Sequence, residues 1–153
     1  MSDYDSDIVA WSGHQARLMR RIAAAKGVND QIDWPNIIDE VETVGRSKRS
    51  ALRSLIGTVL EHLMKLHASP ARDPRDGWKD TINRARRDSD RVLEDSPSLR
   101  RAVADMIADE TPATARLVGQ SLALFVERPR VDAGGLAFTE DQVLGDWFPA
   151  EPG

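Results

Sequence analysis

The chain has 153 residues, no cysteine, 5% aromatic residues and a net charge of −4. That length fits one domain able to bury a core without staples, and the lack of cysteine removes disulfides, thiolate-bound zinc, iron–sulfur clusters and thiol nucleophiles together. The acidic start MSDYDSDIVAW lacks the basic and apolar parts of a signal peptide, and no apolar run approaches the roughly 20 residues of a spanning helix, so a soluble, cytoplasmic protein with no membrane role is expected.

Ala, Leu, Arg, Asp and Glu dominate and β-branched runs are short, a helical composition. In the first segment Tyr4, Ile8, Trp11, Gln15, Leu18 and Ile22 recur at spacings of three and four, which predicts a helix from about Asp3 to Ala25 with Gly27 as its stop. Asp33 then reads as an N-cap, with Pro35 in the first turn, where its missing N–H costs nothing. Carboxylates Asp39, Glu40 and Glu42 precede Arg46, Lys48, Arg49 and Arg53, an order that suits the helix dipole and sets Glu42 four residues before Arg46. Trp34, Ile38, Val41, Leu52, Leu55, Val59, Leu63 and Leu66 share one stripe if residues 33–67 form a single helix. Lys48 falls inside that stripe, so either the helix bends around Gly45-Arg46-Ser47, which is the preferred reading, or the lysine snorkels between its neighbours, and Ser47 could cap a second helix if the chain breaks there.

The prolines and glycine of HASPARDPRDG, residues 67–77, make the first loop. A helix follows from about Asp76, with Trp78, Ile82, Ala85, Ser89 and Val92 inward. Ser96-Pro97 reads as N-cap and first helical residue of the next helix, which runs to about Glu110, and Thr111-Pro112 repeats the device for a fifth helix or a kinked continuation to about Glu127. RPRVDAGGLAF is a loop, and Thr139-Glu140-Asp141-Gln142 matches a capping box opening a short last helix. The expected architecture is all-α: one bundle domain of five to six helices over residues 3–149, with 150–153 as a tail.

Charge is unevenly distributed. Residues 1–45 hold 4 bases and 8 acids, 46–91 hold 12 and 6, and 92–153 hold 5 and 11. Blocks of this kind usually pair along helix faces, and a basic middle third can also meet nucleic acid. Little else points to chemistry. His62 and His67 are five apart and diverge on a helix; no E-x-x-H pair, P-loop or G-x-G-x-x-G is present, and GQSLA at 119–123 lies in a helical pattern, not on a strand-to-helix elbow. No metal or cofactor is expected. Asp7, Glu40, Glu42 and His62 remain weak catalytic candidates, Asp7 and His14 read as a buried pair near Trp11, and the four tryptophans read as core anchors.

The fragments YDSDIVAW, IDWPNIIDEVETVGRS, EHLMK, WKDTINRAR and EDSPSLR occur in order. Together they closely resemble the bacterial domain-of-unknown-function family numbered twenty-nine, from about Tyr4 to Arg100 and again, weakly, at FTEDQVLGDWFP. The resemblance implies an all-helical domain without an established cofactor or catalytic set. The positions it matches are Tyr4, Asp7, Trp11, Asp33, Trp34, Glu40, Glu42, Gly45, Arg46, His62, Lys65, Trp78, Arg86, Pro97 and Leu99. Many members look to have a Phe-Pro-x-x-Cys-Pro segment before the last helix; this chain has ERPRVDAGGLAF there, so no role resting on that segment carries over.

Three functional expectations follow. The leading one is a non-enzymatic protein-interaction module whose partner is another protein or a second copy of itself, because long helices with wide apolar stripes commonly bury part of them against a partner. The second is nucleic-acid binding through Arg46, Arg49, Arg53, Arg84, Arg87 and Arg91. The third is a hydrolytic or metal-dependent enzyme that brings Asp7, Glu40, Glu42 and His62 together between helices.

Overall fold

A computed structural model describes residues 3–25, 27 and 30–152. Among these the chain is all-α: α1 (Asp3–Ser6), α2 (Ile8–Ala23), α3 (Trp34–Ala68), α4 (Arg75–Asp95), a 3-10 segment (Pro97–Ala102), α5 (Val103–Leu124), a 3-10 turn (Ala133–Gly135) and α6 (Glu140–Leu144). Contacts divide the chain into two compact units, Met1–Ala51 with Val92–Arg100 and Leu52–Arg91 with Arg101–Gly153. The division falls inside α3 and α4.

In the first unit the helix expected over 3–25 is broken at Asp7. This residue has extended backbone (φ −159°, ψ 90°), and its carboxylate accepts the Ala10 N–H at 2.9 Å, so it caps α2 and leaves α1 as a single turn. Tyr4 stands edge-on to Trp11, ring centroids 4.9 Å apart. At the start of α3, Asp33 accepts the Asn36 N–H, as an N-cap does. α3 then continues as helix through Gly45, Arg46 and Ser47. Gly45 serves close approach rather than a break: a Cβ there would lie 3.0 Å from Ser12 Oγ on α2 and 3.7 Å from Val9 Cγ1, and only a bare backbone lets the two helices sit so near. Lys48 is half-buried.

In the second unit α3 is buried on far more than a stripe. Leu52, Ile56, Val59, Leu60, Leu63, Met64 and Leu66 are all buried, a wide arc of roughly 160° at 100° per residue, and no residue from Leu55 to Ser69 is exposed, which marks this half of α3 as an interior helix. Met64 and Ala68 pack with Ala115, Val118 and Leu122 of α5 and with Ala133, and Leu136 and Phe138 close over that cluster. Each large side chain so buried contributes about 1.5–3 kcal/mol of transfer free energy.

The Ser96-Pro97 device works differently from its reading. Ser96 Oγ is buried without a partner, the residues after it form a 3-10 segment, and the cap comes from Asp7, whose carboxylate accepts the Ser98 N–H at 2.6 Å and the Ser98 hydroxyl at 3.0 Å. At Thr111-Pro112 the chain does not start a new helix: α5 runs through Pro112. The Thr139 capping box is present, with Thr139 Oγ1 accepting the Gln142 N–H and Gln142 Oε1 accepting the Thr139 N–H.

Candidate interaction surface

The residues singled out in the sequence are held in different places. In the first unit Asp7 caps two helices. Burial pushes its carboxyl up, but the N–H groups of Ala10 and Ser98, the Ser98 hydroxyl and the Val9 N–H outweigh that and hold it below its ordinary value. His14 is exposed, so the expected buried pair with Asp7 does not form; Ser98 is the partner instead. Glu42 pairs with Arg20 and with Arg46, whose guanidinium also reaches Asp39 at 2.9 Å. Glu40 is exposed. In the second unit the His62 ring lies with Nδ1 at 2.8 Å from the Thr58 carbonyl of its own helix. Glu42 and His62 sit on one helix about 30 Å apart at 1.5 Å per residue. No group of three or more His, Cys, Asp or Glu able to hold a metal occurs among the described residues.

The candidate nucleic-acid arginines are also divided. Arg46 is engaged as above, Arg53 faces Asp109 and Glu110 at 3.6 and 3.3 Å, and Arg84 faces Asp80 at 2.8 Å. Arg49, Arg87 and Arg91 are exposed. Arg86 is nearly fully buried: its Nε and Nη2 donate to the carbonyls of Val143, Gln142 and Trp147, and its guanidinium lies 5.0 Å from the Phe148 ring. It therefore ties α4 to α6 and to the segment after it. His67 lies 5.8 Å from Phe138 and 5.9 Å from Trp147 between ring centroids.

The most unusual surface of the second unit is the outer face and C-terminal end of α5. From Thr111 to Leu124 the helix carries one charge, Arg116, in a chain that is 30% charged. Ala113, Leu117, Gln120 and Leu124 are all exposed and spaced four, three and four, the spacing of a coiled-coil seam. At the end of the seam Leu124, Phe125 and Val126 are 82%, 75% and 92% exposed. Three consecutive apolar side chains in water are rare on a soluble surface without a role.

The backbone that presents them is strained. The Val126 N–H donates to Ala123 O and the Glu127 N–H to Leu122 O, the paired bonds of a Schellman C-cap, with Val126 in the left-handed position that glycine normally fills. Its φ is 55°, which costs a β-branched residue about 1–2 kcal/mol. Glu127, next in the chain, accepts the Ser69 hydroxyl at 2.7 Å and fixes the turn. Beside this ridge lies a cavity of about 320 Å³ lined by Lys65, Pro74, Trp78, Ser121, Leu122, Phe125 and Glu127. Sequence reading missed the ridge because LALFVERP contains no glycine to end the helix; the helix was extended to Glu127, which would have spread these residues around a further turn.

The model of the family described as a domain of unknown function, DUF29, matches residues 4–127. The chain belongs to the DUF29 family. The DUF29 match includes α1 to α5 and the apolar ridge and stops before α6. No curated protein matches the chain. An α-helical protein of unknown function from Rhodospirillum rubrum, known from its crystal structure, is similar with a TM-score of 0.74 at 18% identity, over 97% of this chain and 93% of that one. At that identity the likeness shows a shared helical fold. Among the described residues no helix is long and apolar enough to cross a membrane.

Proposed function

We propose that this DUF29 domain is a protein-interaction module that pairs with a second copy of itself through the outer face of α5. The observation that carries this reading is the run Leu124-Phe125-Val126, exposed and held out by a strained cap beside an apolar cavity. A two-fold interface needs a patch that is its own complement. Here a protruding ridge and a cavity lined by Pro74, Trp78 and Leu122 are neighbours on one patch, so that each copy can offer the ridge and receive it. The two charged residues lining the cavity, Lys65 and Glu127, have opposite signs and can face each other across such an axis. The nearly uncharged seam from Ala113 to Leu124 extends the patch along the helix.

Sedimentation velocity over the micromolar range tests the reading. The wild-type chain is expected to shift from monomer to dimer with concentration, and Leu124→Glu or Phe125→Asp to stay monomeric with unchanged helicity. Both side chains are exposed, so losing them costs the monomer little. A wild-type chain that remains monomeric throughout that range overturns the proposal.

A further inference from the structure

Away from the α5 ridge, the second unit ends in an arm, residues 138–152, whose regular structure is the five-residue α6. A small set of ties holds it to α3 and α4. Val143 is fully buried, Arg86 of α4 donates to the carbonyls of Gln142, Val143 and Trp147, and Glu151 pairs with Arg75 and Lys79. The remaining tie is aromatic. The imidazole of His67, in the last turn of α3, lies 5.8 Å from the Phe138 ring before α6 and 5.9 Å from the Trp147 ring after it, and the two arm rings are 6.3 Å apart. A segment with so little regular structure opens at a lower free-energy cost than the long helices beneath it.

The position of His67 is a poor one for a positive charge. Its ring is half-buried, and the charged groups that act on it are both cations, Arg130 from the segment after α5 and Arg75 from α4. Carboxylates of the neighbouring segments are engaged elsewhere: Glu61 with Lys65 on α3 itself, Glu127 with the Ser69 hydroxyl, Glu151 with Arg75 and Lys79, and Asp146 toward Arg86. A helix C-terminus ordinarily favours a cation, but here the Leu66 carbonyl already accepts Arg75 Nη2 and the Ala68 carbonyl the Arg130 N–H. Burial first, then Arg130 and Arg75, hold the imidazole below its ordinary 6.5. We propose that His67 is a pH-sensitive latch for the arm: as a neutral ring it packs with Phe138 and Trp147 and keeps the arm closed, and on protonation it releases the arm from α3 and α4. In the open arm the ring titrates in water, so closure is fully favoured above 6.5 and weakens as pH falls below it, by about tenfold for each unit that separates the two pKa values. Lys79 and Arg75 hold the Glu151 carboxyl below its ordinary 4.5, so that ion pair outlasts the window in which His67 acts. An open arm uncovers the α3–α5 cluster over which Phe138 closes and frees the guanidinium of Arg86, exposing an apolar and cationic surface.

Amide hydrogen exchange of the full chain, followed by NMR and expressed against the intrinsic rate at each pH, tests the latch. The reporters are the Val143 and Gly145 N–H groups, which donate to the Thr139 and Asp141 carbonyls inside the arm, set against those of the fully buried Leu63 and Val118. Val143 and Gly145 are expected to be less protected than the core amides and to lose protection severalfold between about pH 7.5 and about pH 5.5. His67→Phe, which keeps a ring and takes no proton, should hold the protection of the arm constant over that range. The His67 pKa, read from its ring-proton shifts in the wild-type chain, is a second measure and should lie below 6.5. Arm amides as protected as Leu63 and Val118, protection unchanged on acidification, a loss that persists in His67→Phe, or a His67 pKa at or above 6.5 overturns the proposal.

Discussion

Asp7 shows how one side chain can organise a chain terminus. A single carboxylate receives the first N–H groups of α2 and of the 3-10 segment, which starts ninety residues later in the chain. Its folded pKa lies below the ordinary 3.8, so the stability it contributes is present above that value and is lost as pH falls through the folded pKa. Asp7→Ala is expected to cost about 1–3 kcal/mol near neutral pH, and the difference from wild type in urea denaturation should shrink at acid pH; a variant as stable as wild type at pH 7 would contradict this. Val126 is the opposite case, a residue whose local conformation works against folding. Val126→Asn, which tolerates the left-handed region better, is expected to raise the melting temperature of the monomer by relieving about 1 kcal/mol of strain while weakening self-association. A gain in both would separate the strain from the interface. Asp7 was legible in the sequence as a family-pattern position, but its second partner was not, since nothing local links it to Ser98.

At the scale of elements, helix identity was read well and helix ends less so. The periodicity of α3 and the Asp33 cap predicted 33–67, and the helix spans Trp34–Ala68. The breadth of its buried arc escaped, because Ile56, Leu60 and Met64 lie beside the stripe and are buried by tertiary packing, Met64 by α5. The bend expected around Gly45-Arg46-Ser47 rests on Lys48 interrupting the apolar stripe; α3 is unbroken helix there, and the contact of Gly45 with Ser12 is not legible from the stripe. Thr111-Pro112 allows either a new helix or a kinked continuation, and the chain continues: Pro112 lies within α5, where the Thr111 hydroxyl donates to the Ile107 carbonyl at 2.6 Å just ahead of it. Because the ring removes a helical hydrogen bond and crowds the carbonyl four residues back, Pro112→Ala is expected to stabilise the domain by about 1–3 kcal/mol in urea denaturation. A loss of stability would show that the packing of the ring outweighs the missing bond.

At the scale of the whole molecule, the charge asymmetry between thirds resolves largely into local ion pairs: Arg46 with Asp39 and Glu42, Arg53 with Asp109 and Glu110, Arg75 and Lys79 with Glu151. The solvent-exposed pairs of Arg46 and Arg53 contribute little each, about 0–1 kcal/mol, whereas Arg75 is buried, and together the pairs leave fewer cations for nucleic acid than the sequence suggested. What stands out against this charged surface is the nearly neutral face of α5. It was invisible in the sequence because a helix with two apolar seams has no strong single-sided pattern, and only the burial of Val118 and Leu122 shows which seam is left outside.

The absence of cysteine makes that face directly testable. Gln120→Cys places a lone thiol near the middle of the Ala113 to Leu124 seam, where a two-fold axis would bring it close to its own copy. Under mild oxidation at micromolar concentration the account predicts rapid formation of a covalent species at twice the 17.0 kDa chain mass, lost when Leu124→Glu is added, and slow formation from Arg87→Cys on α4. Cross-linking of Gln120→Cys no faster than that of Arg87→Cys would contradict self-association through α5.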